Sequence, residues 1–146
     1  MSKDLTVRLD TTLHVYDRCL CFAAQRTARV LARHFDDLLR PLDLTNGQFS
    51  LLMSLNRPEP ASIGAIADFL AMDRTTLTAA LKPLERRDLV ETRVDPKDRR
   101  GRRLVLTPAG HRLLLAALPI WRRAHAKVEK LVDDPDALRA GLRALA

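Results

Sequence analysis

The chain has 146 residues, 47% of them hydrophobic, with a formal net charge of +7 and a pI near 10.2. That fits one domain, or one compact subunit of an oligomer, and the basic balance favours an anionic partner, either nucleic acid or an anionic membrane surface. No apolar run is long enough to span a bilayer and Met1–Thr6 lacks a signal-peptide core, so the reading is a cytoplasmic protein with no membrane partner. Cys19 and Cys21 are too close for an ordinary disulfide framework, and the four histidines lack zinc-like spacing. No phosphate-binding glycine loop or catalytic-triad signature is present, so no metal, cofactor or catalytic site is expected.

In chain order, Leu20, Ala24, Ala28, Leu31, Phe35 and Leu38 recur at helical spacing. They predict one long helix from about Thr11 to Leu39, ended by Pro41. It is longer than a small core needs, so its apolar stripe is expected to pack on a second subunit. Thr45 with Gln48 three residues later is a capping box and starts a helix through Phe49, Leu51, Leu52 and Leu55. After Arg57-Pro-Glu-Pro60, Ala61–Ile63 suits a short strand, and Ser62 can cap the next helix.

A short helix, Gly64 to Leu70, is followed by the turn Ala71-Met72-Asp73, with Asp73 as the N-cap of a second helix. There Leu77, Ala80, Leu81 and Leu84 face inward. The opposite face carries Thr75, Thr78, Ala79, Lys82 and Arg86, small near the N-terminal end and basic further on. A helix entering a DNA major groove needs such a face. Arg74, in the first turn, is near enough to reach a groove end-on. Pro83 lies inside this helix and is expected to bend its C-terminal half.

The period then changes. Leu89–Asp95 and Arg102–Thr107 read as strands, joined by Pro96-Lys97-Asp98-Arg99-Arg100-Gly101. A charge run alone is most often a solvated face. An arginine-rich hairpin tip beside a helix-turn-helix instead suggests a wing, because arginine suits a narrow minor groove. Thr107-Pro108 then caps a helix running to about Val132, apolar early and cationic late, with Pro119 inside it. Asp134-Pro135 restarts a last helix with Leu138, Leu142 and Leu145 as its stripe.

The stretches Asp73-Arg-Thr-Thr-Leu-Thr, Leu81-Lys-Pro-Leu-Glu-Arg-Arg-Asp-Leu-Val and Asp95-Pro-Lys-Asp-Arg-Arg-Gly-Arg-Arg-Leu-Val-Leu-Thr-Pro-Ala-Gly110 resemble the MarR family of winged-helix transcriptional regulators. The resemblance covers nearly the whole chain, and the wing followed by Leu-Thr-Pro-x-Gly is its most specific part. It implies a mainly α fold with a small β-hairpin wing. It also implies a homodimer joined through long N- and C-terminal helices and bound to a pseudo-palindromic double-stranded operator. Residues 45–107 would form the DNA-binding region, and 1–44 with 108–146 the dimerisation region, of a single subunit 1–146. The expected DNA-binding residues are Arg74, Thr75, Thr76, Thr78, Lys82, Arg86, Lys97, Asp98, Arg99, Arg100, Arg102 and Arg103. Within the family's Asp-x-Arg wing pattern, Asp98 would brace and Arg100 would enter the minor groove. Asp88 stands where the family usually has Gly. Aspartate tolerates the left-handed helix end, so the turn is expected to survive.

Regulation has two readings. Family members bind aromatic acids or related ligands where the dimer helices meet the winged domain. Tyr16, Cys19, Phe22, Arg26, Phe49 and Trp121 are the candidates here. Alternatively, Cys21-Phe22-Ala23 resembles the organic-hydroperoxide-sensing branch, in which Cys21 would be the reactive thiol with Arg18 and Gln25 on its helical side. That branch surrounds its cysteine with tyrosines, whereas Gln25, Phe35 and Asn46 occupy those positions here. The expectation is therefore a repressor released by an aromatic or apolar acid, with thiol sensing as the alternative and Cys21 otherwise a packing residue. An enzyme using Cys21 with His14 or His34 is a weaker alternative, because no orienting carboxylate pattern supports it. A non-specific nucleic-acid-coating protein would not need a capped recognition helix.

Overall fold

The computed structural model describes residues 6–146, so the expectation about Met1–Thr6 falls almost wholly outside it. Packing divides the chain into a unit up to His34 and a unit from Phe35 to Ala146.

The single N-terminal helix expected from the sequence is two helices, α1 (Leu9–Arg18) and α2 (Leu20–Leu39). Cys19 breaks them with extended backbone, φ −73° and ψ 109°. The Phe22 backbone N–H donates to the Cys19 Sγ at 3.4 Å, so the thiol occupies the place of an N-cap oxygen for α2. A one-turn 3₁₀ helix, Arg40–Leu42, carries Pro41.

The larger unit continues with α3 (Asn46–Leu55), β1 (Ala61–Ser62), α4 (Ile63–Phe69) and α5 (Arg74–Arg86). Then come β2 (Val90–Val94), β3 (Arg102–Leu106), α6 (Pro108–Glu129) and α7 (Pro135–Ala144). The caps read from sequence are made. Thr45 and Gln48 form the reciprocal box, and Ser62, Asp73, Thr107 and Asp134 each accept a backbone N–H three residues on. Helix α6 stops at Glu129, short of Val132. Asp134 precedes Pro135, which keeps it out of the helical region at φ −134° and ψ 89°, so no helix continues through it.

The three strands form an antiparallel sheet ordered β1-β3-β2, with Ala61 opposite Leu104 and Val94 opposite Arg102. Leu52, Ile66, Leu77, Leu84 and Leu104 are fully buried, so α3, α4, α5 and β3 share one core. Each such leucine contributes about 1.5–3 kcal/mol by leaving water. Leu114 and Ala117 of α6 close it.

Three helical segments end on a left-handed residue that is not glycine: Asp43 (φ 51°), Ala71 (φ 52°) and Asp88 (φ 57°). At the last, Asp88 N–H donates to Glu85 O and Leu89 N–H to Leu84 O, so the turn expected to tolerate Asp88 is formed. Ala71 makes the same pair of bonds without a polar side chain to ease the conformation. Gly110 is a different case. A methyl group there would lie 2.4 Å from the Leu89 carbonyl oxygen and 2.6 Å from a Leu106 methyl. Opposite effects should follow on the urea midpoint. Ala71→Gly should raise stability by about 0.5–1 kcal/mol by relieving the left-handed alanine, net of unfolded-chain entropy. Gly110→Ala should lower it by about 1–3 kcal/mol through overpacking. A loss for the first, or no change for the second, would contradict the described backbone.

Candidate nucleic-acid interface

Helix α5 starts at a cap that uses two side chains. The Asp73 carboxylate accepts the Thr76 N–H and the Thr76 hydroxyl, each at 2.8 Å, and the backbone bond from Thr76 is the main reason its pKa is lowered. Thr76 is thus committed to the cap. The Thr78 hydroxyl donates to the Arg74 carbonyl at 2.8 Å and keeps its acceptor lone pairs. Thr75, Thr78, Ala79, Lys82 and Arg86 are all exposed, while Leu77, Leu81 and Leu84 are buried. No hydrogen bond or ion pair ties down the side chains of Thr75, Lys82 or Arg86 among the described residues. A helix that buries one leucine row therefore presents the opposite row to solvent, as its sequence period requires.

The wing is a hairpin braced at its base and open at its tip. Asp95 is buried at 9% exposure, the one buried charged residue among the described residues. Its carboxylate accepts the Lys97 N–H at 2.9 Å and the Arg103 Nε–H at 3.0 Å. Arg103 also donates to the Pro60 carbonyl at 3.0 Å, joining the wing to the segment before β1. Arg103, counted among the candidate DNA contacts, is thus engaged within the protein. So is Arg102, whose guanidinium donates to Arg99 O and Gly101 O. At the tip, the Asp98 carboxylate accepts the Arg100 backbone N–H at 3.0 Å, and Gly101 N–H donates to Asp98 O at 2.9 Å. Asp98 braces the turn through the main chain, which leaves the exposed side chains of Lys97, Arg99 and Arg100 without a bonded partner among the described residues.

Asp95 was missed as a functional position. Its partner is fixed by strand register: with Val94 opposite Arg102, Asp95 and Arg103 become diagonal neighbours on one face. That register is not written in either strand alone.

The sensing candidates fall in separate places. Within the N-terminal unit, the rings of Tyr16 and Phe22 stack with centroids 5.1 Å apart. Cys21 is exposed and its sulfur accepts the Gln25 side-chain N–H at 3.4 Å, so within this chain Cys21 is not the buried packing residue expected. Arg26 is exposed. In the larger unit, Phe49 and Trp121 stack at 6.5 Å and line a cavity of about 540 Å³ between α3, α4 and α6. Met53, Phe69 and Leu118 supply further apolar wall. Arg57 is its one lining cation, held by a bond to Ser54 O and set 5.1 Å over the Phe69 ring. Sequence spacing gave no sign of Arg57, because it follows α3 and meets Phe69 only in the fold. Among the described residues no His/Cys/Asp/Glu cluster could hold a metal, and no helix is long and apolar enough to cross a membrane.

The MarR family's sequence profile matches residues 44–101. The transcriptional regulator MosR of M. tuberculosis, solved in complex with DNA, is 34% identical with a TM-score of 0.81, over 88% of this chain and 93% of that one. The transcriptional repressor CouR, solved on a 23-mer DNA duplex, is 29% identical with a TM-score of 0.80, over 90% of this chain and 94% of that one. The HTH-type transcriptional regulator SarZ of Staphylococcus aureus is 30% identical over 91 residues, and the match spans 62% of each chain's length.

The wing brace makes a pH prediction. The Lys97 N–H bond, with Arg103 beside it, holds the Asp95 carboxyl below the ordinary aspartate range. A lowered pKa means that the brace contributes fully above the unfolded value of about 3.9 and is lost only as pH falls through the lower folded value. The Lys97 amide resonance should therefore titrate with a midpoint below about 3.9. Asp95→Asn should abolish that titration. A midpoint at or above the ordinary value would remove the brace.

Proposed function

We propose that this chain, which belongs to the MarR family, is a homodimeric transcriptional repressor that binds a pseudo-palindromic double-stranded DNA operator through residues 45–107. The observation that carries the reading is a pair of exposed groups: the Thr75, Thr78, Lys82 and Arg86 face of α5, and Lys97, Arg99 and Arg100 of the wing, whose side chains have no bonded partner among the described residues. In this reading α5 enters the major groove, Thr75 and Thr78 face base edges, Lys82 and Arg86 meet phosphates, and Arg100 enters the minor groove. MosR and CouR, both solved on DNA, support it as relatives of similar fold.

The dimer is supported by apolar stripes that one chain leaves in water. Leu9, Leu13 and Tyr16 on α1, and Leu138 and Leu142 on α7 with Leu145 just beyond it, are each about half exposed or more, at i, i+4, i+7 spacing. The corresponding dimerisation region is 1–44 with 108–146. A cavity with aromatic walls and the single cation Arg57 fits an effector with an apolar body and a carboxylate. Cys21 supports a second reading, thiol sensing. It is exposed to an oxidant, and its sulfur accepts the Gln25 side-chain N–H at 3.4 Å, which holds the thiol in place on α2.

Selection of bound DNA from a random pool tests the main reading and should return an inverted repeat with half-sites about one helical turn apart. On that operator, Arg100→Ala should weaken binding by about 1–3 kcal/mol. Thr75→Ala should narrow the gap between operator and random DNA. Unchanged affinity would remove the wing from the interface, and equal losses on both DNAs would make Thr75 a backbone contact. Sedimentation at micromolar concentration should show a dimer; a monomer would contradict the paired half-sites. Cys21→Ser should leave operator binding intact, and organic hydroperoxide should release little operator from either protein if the effector is an acid. Release from the wild type alone would establish thiol sensing.

A further inference from the structure

Gly64 lies in the first turn of α4, where its backbone needs no glycine, since no described glycine has positive φ. Alanine is the better helix former, so local structure alone disfavours glycine here. What the position does have is a neighbour. A methyl group on Gly64 would lie 2.6 Å from a terminal guanidinium nitrogen of Arg74 and 3.2 Å from its Cζ. The side chain of Arg74, from the first position of α5, is laid back across the bare Cα of Gly64. Its guanidinium makes no hydrogen bond or ion pair among the described residues, and Arg74 is exposed. Its donors are therefore open to an outside anion.

Resting on the DNA-binding reading above, we propose that Gly64 is a positioning residue for DNA binding, its missing side chain forming the seat that holds Arg74 toward a DNA phosphate rather than a base edge. In a helix-turn-helix the second helix lies in the groove while the first crosses the sugar–phosphate strand. A guanidinium folded back onto the first turn of α4 stands on the phosphate side of that arrangement. An arginine extended along the α5 axis, as its sequence position suggests, would reach base edges instead. Arginine's planar fork suits a phosphate held in a fixed direction, so where the fork is seated matters to the bond. Only the far end of a flexible side chain occupies the seat. A methyl group at position 64 therefore displaces Arg74 without forcing any backbone to move.

The test uses the full chain as wild type, Gly64→Ala, Arg74→Ala and the double variant, on the selected operator and on random DNA across a salt series. Arg74→Ala should weaken binding to both DNAs by a similar factor, on the order of tenfold, and reduce the salt slope by about 1. Gly64→Ala should reproduce much of that loss while melting no lower than wild type, which separates displacement of Arg74 from damage to the fold. In the Arg74→Ala background, Gly64→Ala should cause no further loss. Wild-type affinity and slope in Gly64→Ala, or an added loss in the double variant, would overturn the seat. A changed operator-to-random ratio in Arg74→Ala would overturn the phosphate assignment. A wild type with no preference for any selected sequence would defeat the operator reading itself, and this inference with it.

Discussion

Thr107 holds together the part of the molecule on which the proposed interface depends. Its hydroxyl donates to the Asp88 carbonyl at 2.6 Å and accepts the Gly110 N–H at 3.0 Å, while its own N–H donates to the Leu89 carbonyl at 3.1 Å. These bonds join the end of α5, the end of β3 and the start of α6 at one residue. Gly110 allows the approach, since a side chain there would collide with the Leu89 carbonyl. Pro108 starts the helix at the one place where its missing N–H is of no consequence. The Leu-Thr-Pro-x-Gly run is thus a joint. It fixes where the wing leaves the core relative to α5, and both must be placed together to meet one duplex.

The charges of the wing divide by task. Near its base, acidic groups are spent on basic ones: Glu91 pairs with Arg93, and Asp95 with Arg103. The Glu91–Arg93 pair is exposed and contributes little to stability. The Asp95–Arg103 pair is half-buried, bonded also to main chain, and sets the direction of the hairpin. Toward the tip, Asp98 is used on backbone, so the neighbouring cations keep their full charge toward solvent. A net charge of +7 would have little directional meaning if it were spread evenly. The braces concentrate the unpaired part of it where an anionic strand would lie.

Much of this was legible because it is local. Thr45, Asp73 and Thr107 declare their helix starts through side chains that reach three residues, and Pro96 and Gly101 bound a turn whose strands are only five residues long. The leucine row of α5 declares its buried face by period alone. What stayed hidden depends on distance or on weak chemistry. The break at Cys19 has neither proline nor glycine to mark it, and a thiol is a poor cap by any sequence rule. Asp95 finds Arg103 only once the strand register exists. Gly64 reads as a mild defect in a helix until Arg74, ten residues on, is folded over it. Arg57 likewise becomes part of a cavity only when α4 brings Phe69 beneath it.

Helix α4 is where these long-range features meet. It has seven residues, and its buried Ile66 and Ala67 fix it in the core from the middle. Its first turn carries the glycine under Arg74, and its last residue, Phe69, forms part of the cavity wall under Arg57. A helix this short, about 10 Å end to end, has little freedom to bend internally, so its two ends move together. The apolar cavity and the first arginine of the recognition helix are therefore in contact with opposite ends of one rigid element. Phe69 and Gly64 are thus five residues apart on one helix held in the core by its middle, which is why a single short element borders both the cavity and the first arginine of α5.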